Sequence, residues 1–180
     1  MKLLKLNPEV RIGDIRLSHA PAMFRWMCDP IVTRNIGLRQ KPSLKKTEDW
    51  IRRVSRDATV RPYAILLAGK HVGNVVLDRI DSYLATARLS IYVGEQDALG
   101  MRVATTAIYL VLKRAFLTEK LHKVWLTVHV RNTRAIHTYT RIGFVIEGVL
   151  RDDFWLGNRR VNALLLSLLR TEFQHIRVVR

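Results

Sequence analysis

The stretch from Lys123 to Phe144 most constrains the fold, because its periodicity changes twice in a short span. Val124, Trp125, Leu126, Thr127 and Val128 are strand formers packed closely enough to predict a strand over 123–130. Asn132 follows, with a side chain suited to bond a free amide at a helix start. Ala135, Ile136 and Tyr139 recur at helical spacing, Gly143 is placed to end the helix in a left-handed turn, and Phe144 opens another strand. A strand, a short helix and a strand so close together need a shared sheet to bury their apolar sides.

The rest of the chain supplies that sheet. Residues 10–17 alternate as a strand, and Ser18 is placed to cap a helix through Ala22, Met23, Phe24, Arg25, Trp26 and Met27 that stops before Asp29-Pro30. Ser43 opens a second helix carrying Thr47, Trp50, Ile51 and Val54. Residues 62–68 and 71–78 are apolar runs joined at Gly69-Lys70 as a hairpin. Further strands are expected over 89–93 and 162–169, with a helix from Ala104 to about Thr118. No repeat, low-complexity tract or linker interrupts the 180 residues, which predicts one domain over 1–180. The order of elements predicts an α+β fold, a mixed sheet with helices on both faces.

Charge narrows the partners without naming one. Lys and Arg number 31 against 15 acids, a net of +16 that attracts anions at long range. Nucleic acid, an anionic sugar nucleotide and CoA all fit. The basic residues are scattered among apolar ones with no basic tail, so a solvated cationic face accounts for them equally well. No run of 18 apolar residues is long enough to cross a membrane, and residues 1–8 lack a signal-peptide apolar core. Cys28 is the only cysteine, which excludes an internal disulfide; its helical setting predicts a small buried hydrophobe. The six histidines show no metal-ligand spacing. The expectation is a cytoplasmic protein with no metal and no membrane partner.

Two segments carry chemistry. In the first, Ile91, Tyr92, Val93 and Gly94 lead through a short loop to Leu99, Gly100, Met101, Arg102, Val103, Ala104 and Thr105. A strand, a small-residue turn and a helix start leave free amides and the helix dipole facing an anion. A plain strand-to-helix loop would read the same. In the second, Tyr139 stands seven residues after Asn132, two turns on along one helix face, where a phenol can donate a proton into a groove. A cap and a packing residue would also give that spacing.

Both segments, in this order, resemble the GNAT superfamily of acyl-CoA-dependent N-acyltransferases. The second is similar to that family's N-x-x-A-x-x-x-Y-x-x-x-G-F pattern, matched at Asn132, Ala135, Tyr139, Gly143 and Phe144, and the helix from Thr105 to Phe116 is similar to its cofactor helix. Trp26, Asp29-Pro30 and Trp50-Ile51 near the start, and Gly148 to Asp152 near the close, resemble the branch of ribosomal-protein and sugar-nucleotide amine acetyltransferases. The resemblance implies a mostly antiparallel twisted sheet of about seven strands with a splayed central pair, between strands 89–93 and 123–130. It implies acetyl-CoA as cosubstrate, with pantetheine on the main chain of Ile91 and Val93, pyrophosphate on the amides of Met101, Arg102, Val103, Ala104 and Thr105, and Asn132 holding the pantetheine arm or thioester region. Tyr139 would protonate the departing thiolate. The acceptor would be a primary amine, of a protein N-terminus or an amino-sugar nucleotide, anionic or ribosome-associated; a homodimer is admitted as an assembly.

The chain departs from that pattern at the phosphate loop, where Leu99, Arg102 and Ala104 occupy the positions of Q/R-x-x-G-x-G/A and Ala104 alone fits. A side chain at 102 opposes close backbone approach, while its guanidinium can pair with phosphate. Arg88 stands where a catalytic Glu is common in this branch, and an arginine is no base near neutral pH. That leaves Ser90, which can order a water, and Asp78 and Asp81 as candidates beside the acceptor, though each also reads as a surface polar residue; His129 and His137 flank the Asn132 region, where one can act as a base and a packing or surface role fits as well. Arg88 and the net charge both disfavour a polycationic acceptor. Two other readings stand beside the enzyme: a binding module with the fold but weakened chemistry, and a nucleic-acid-associated protein.

Overall fold

The computed structural model describes residues 2–37 and 41–179; Met1 and Arg180, the outer limits of the expected domain, lie outside them. Among the described residues, seven strands form one sheet in the order β2–β3–β4–β5–β6–β8–β7. These are β2 (Val10–Asp14), β3 (Arg61–Leu67), β4 (Lys70–Asp81), β5 (Thr86–Val93), β6 (Lys123–His129), β7 (Val145–Leu156) and β8 (Arg159–Leu169). Every neighbouring pair is antiparallel except β5 with β6, which run parallel. A separate parallel pair joins β1 (Lys2–Lys5) to β9 (Ile176–Val179).

Side-chain alternation places helices on both faces. On β5, Ala87, Leu89, Ile91 and Val93 belong to a large core that includes Val103, Ala107, Ile108, Val111 and Leu112 of α4 (Val103–Lys113) and Tyr139 and Ile142 of α5 (Thr133–Ile142). Tyr92 points the other way, into a smaller cluster of Ile15, Ala20, Met23, Trp26, Val32 and Ile51. That cluster joins α1 (Ala20–Met27), α2 (Pro30–Ile36) and α3 (Leu44–Val54). The odd positions of one strand thus hold α4 and α5, and an even one holds the other three helices.

Several local expectations needed adjustment. Ser43 caps α3 through its hydroxyl, as read from the sequence. Ser18 instead lies inside a short 3-10 turn, and α1 begins after His19. Asp29-Pro30 does not only end α1: Asp29 accepts from the Ile31 amide and starts α2, with Pro30 in the first turn where its missing N–H is harmless. The helix expected to reach Thr118 does so by widening to π geometry over Arg114–Thr118. Cys28, expected to be buried, is exposed just beyond the end of α1, where Trp26 has already taken the inward position.

Candidate active site

The sheet opens between β5 and β6. Their pairing covers Thr86, Ala87 and Arg88 against Lys123, Val124 and Trp125, and stops there, although both strands continue. Beyond Arg88, β5 is bonded on one side only, by β4 as far as Val93. The Gly94 amide donates to Val72 of β4 (2.8 Å), and near the other end the Ala85 carbonyl accepts from His122 on the β6 side (2.7 Å). Alternation along an antiparallel strand therefore turns the main-chain groups of Leu89, Ile91 and Val93 toward the gap. An opening of about 630 Å³ lies there, lined among others by Ser90, Ile91, Val93, Ala104, Asn132 and Tyr139.

Two features hold the opening at its apex. Arg88 makes a two-pronged bond to Asp78 of β4, both N···O distances 2.7 Å, beside the last β5–β6 pair. Next to it, Arg79 (φ 50°) and Ile80 bulge out of β4. Both carboxylate oxygens of Asp78 are therefore engaged. Asp81 accepts from the Tyr83 and Leu84 amides in the following turn. Neither acid lines the opening.

At the far end, the chain turns through Gly100 (φ 86°) and Arg102 (φ 58°) into α4. Arg102 stands at the N-cap without a side-chain cap bond, which leaves the first-turn amides of α4 for an outside partner. Asn7 fixes this loop: its amide donates to Thr106 Oγ1 (2.9 Å) and its Nδ2 to the Met101 carbonyl (3.0 Å). Ala104 lines the opening, whereas Met101 and Arg102 are exposed beside it.

α5 closes one wall. Asn132 Oδ1 accepts from the Ala135 amide (3.2 Å), so the residue is a cap as well as a lining group. Tyr139 is buried, its ring edge-on to Phe144 at 5.8 Å between centroids. Among the described residues its hydroxyl has no hydrogen-bond partner, and burial pushes the phenol up to about 12. It stays protonated throughout the neutral range.

The opposite wall comes largely from residues to which the sequence alone assigns no role in the site. A bulge in β7 sets residues 151–153 against Asn162 of β8, with Asp152 left-handed (φ 52°) and its amide bonded to Asn162 Oδ1 at 3.0 Å. The bulge brings Asp153, Phe154 and Trp155 to the opening. Val32, Ile36 and Gly37 of the α2 region line it too. Among the described residues, Arg79, Arg88 and Arg134 also line the opening, Arg88 paired with Asp78, and Asp153 is the carboxylate on the lining. His137 is not among the lining residues, but His129 is.

The family description "Acetyltransferase (GNAT) domain" matches residues 10–145. The chain belongs to this family and is an acetyl-CoA-dependent N-acetyltransferase. It is 29% identical over 177 residues to spermidine N(1)-acetyltransferase of Escherichia coli K12, covering 96% of this chain and 87% of that protein. It is 22% identical over 180 residues to the putative ribosomal N-acetyltransferase YdaF of Bacillus subtilis, covering 97% and 92%. In three dimensions it resembles the spermidine N-acetyltransferase of Vibrio cholerae in complex with CoA and spermine, with a TM-score of 0.88 at 22% identity over 94% of this chain and all of that one. The donor chemistry expected from the sequence is thus established for the family. No group of histidine, cysteine or acidic residues able to hold a metal occurs among the described residues, and no helix there is long and apolar enough to cross a membrane.

Proposed function

We propose that the chain transfers the acetyl group of acetyl-CoA to a primary amine by direct attack within the β5–β6 opening, and that the amine belongs to a neutral or anionic acceptor such as a protein N-terminus or an amino-sugar nucleotide. The observation that carries the transfer is the end of β5–β6 pairing at Arg88 and Trp125 while both strands run on. A thioester arm threaded there would satisfy main-chain groups that the sheet leaves open. Ile91 and Val93 would bond the pantetheine, and the amides from Met101 to Thr105 would receive the pyrophosphate. Asn132 would steady the pantetheine arm or the thioester region. Ser90, exposed on the lining, would order a water beside the acceptor.

Tyr139 would protonate the departing thiolate. A phenol held near 12 is a weaker acid than a thiol of about 8.5, so complete transfer runs uphill unless the phenolate is promptly reprotonated. A proton from the attacking nitrogen can do this. Holding amine and thioester in one cleft supplies much of the remaining rate.

The charge of the lining supports the acceptor class. With Arg88 already paired to Asp78, Arg79 and Arg134 remain against the exposed carboxylate of Asp153, an excess of positive charge that disfavours a polycation and attracts an anionic group. Polyamine acetylation is the second reading, favoured by the 29% identity to the E. coli spermidine enzyme. Thiol release measured with spermidine, a neutral peptide N-terminus and an amino-sugar nucleotide separates the two. The proposal expects kcat/KM for spermidine to be the lowest of the three, and a preference for spermidine overturns the acceptor assignment. Acetyl-CoA binding without release of thiol to any amine would leave a binding module instead.

A further inference from the structure

His129 is the last residue of β6 and is 3% exposed. Among the described residues neither ring nitrogen has a hydrogen-bond partner, and both are closed off from water. Buried polar groups left unsatisfied are uncommon because they weaken the fold, and each calls for a reason. His129 lines the opening, and its ring lies against Phe154, 4.7 Å between centroids. Phe154 comes from the β7 bulge and rests on Gly37 at the end of α2, where even a methyl group would sit 3.0 Å from its Cζ. A half-buried aromatic ring thus covers an unpartnered imidazole in the wall away from α4.

We propose that His129 is the proton acceptor for the attacking amine, uncovered when the acceptor turns Phe154 aside. This rests on the acetyl transfer proposed above and adds to it the missing base. The neutral amine attacks the thioester carbonyl and a C–N bond forms. The nitrogen, now positively charged, passes one proton to a ring nitrogen of His129. The tetrahedral carbon expels the thiolate as the C–S bond breaks, and the thiolate takes the Tyr139 proton. The imidazolium then returns its proton through water to the phenolate, so no net proton is gained or lost by the protein.

The surroundings of the ring, burial first and then nearby cations, keep it neutral. Arg34 of α2 and Arg131 in the turn after β6 act together with burial, the larger cause, to lower the imidazole's pKa below its usual 6.5. Arg134 of α5, Arg79 of β4 and Arg88 of β5 line the same opening, the last paired with Asp78, and Tyr139 of α5 is uncharged. β7 offers Asp153, and β8 places Ala163 opposite His129. The ring is neutral near pH 7 and free to accept.

The test is the pH profile of thiol release with an accepted amine, for the natural chain and for His129→Phe and His129→Ala. Beyond the decline that protonation of the amine imposes on every variant, the natural chain should show a further loss of kcat/KM as pH falls through a pKa below 6.5. His129→Phe, which keeps an aromatic ring in place, should lose at least about 10²-fold at pH 7 and lose that acidic limb. Acetyl-CoA affinity should stay within about 2-fold for both variants. Imidazole added to His129→Ala should restore turnover in proportion to its concentration. Retained turnover in His129→Phe, or an equal loss at every pH with no rescue, overturns the assignment to His129. The proposed transfer fails separately, if the natural chain releases no thiol with any amine.

Discussion

The two walls of the opening are built differently. On the α4 side, the groups that face the gap and that we propose for the cosubstrate are largely main-chain: the odd positions of β5 and the first turn of α4. They stand on the large core, where Ala107, Ile108, Val111 and Leu112 are fully buried. On the other side the groups are side chains, among them His129 at the end of β6 and Arg79, Phe154 and Trp155 at two bulges, beside helices that rest on the smaller cluster. Main-chain recognition needs only that two strands part, and many sequences can do that. Side-chain recognition changes with each substitution. This division explains how relatives named for spermidine and for ribosomal acetylation can match one chain along nearly its whole length.

The contrast can be broken at several points. The largest effect is expected from Tyr139→Phe, which should lower turnover by about 10²–10⁴-fold while acetyl-CoA affinity, measured by calorimetry, stays within about 2-fold. Unchanged turnover would remove the phenol from the reaction. Next come the cores. Leu112→Ala in the large cluster should destabilise the chain by about 2–5 kcal/mol in urea unfolding and weaken acetyl-CoA binding as the α4 side loosens. Met23→Ala in the small cluster should cost stability too, but should raise KM for the amine instead. If both variants affect cosubstrate and acceptor alike, the two walls are one unit.

A smaller effect follows from close packing at Gly94. A Cβ there would lie 2.1 Å from Trp26 Cδ2, so Gly94→Ala must push the indole away and break its 2.8 Å bond to Glu95. We expect a loss of about 1–3 kcal/mol and a changed tryptophan emission. The smallest effect concerns pH. Glu95 is held below its usual 4.5, first by the Trp26 N–H and then by Lys70 and Arg25, with burial opposing. A depressed carboxyl contributes stability above pH 4.5 that disappears as pH falls through its folded value. Glu95→Gln should therefore lower the thermal midpoint at pH 7 slightly and flatten its decline in acid; an unaltered acid limb would place that contribution elsewhere.

Much of the α4 wall was legible in the sequence. Asn132 and Gly143 mark the ends of α5 by local chemistry, and both hold in the structure. The strands on either side of the gap were found from their apolar runs, and their parting came from the family resemblance. The other wall was not legible, because bulges have no regular period. Nothing in the run from Gly148 to Trp155 announces that residues 151–153 stand against one partner on β8. The α2 helix carries a readable signal, an Asp side chain before a first-turn proline, but the same pair reads equally as the stop of the helix before it. The Arg88–Asp78 pair joins residues ten apart across a bulged hairpin, and their register is invisible until the strands are aligned. His129 was named among the histidines, but its lack of a partner is a tertiary fact.

Hydrogen exchange at the amides of β5 tests the account most directly. If acetyl-CoA occupies the gap, the amides of Ile91 and Val93, together with those from Val103 to Thr105, should exchange more slowly in its presence, while those of Tyr92 and Gly94, turned toward β4, should change little. Protection confined to other surfaces, or none along this strand with acetyl-CoA bound, would contradict it.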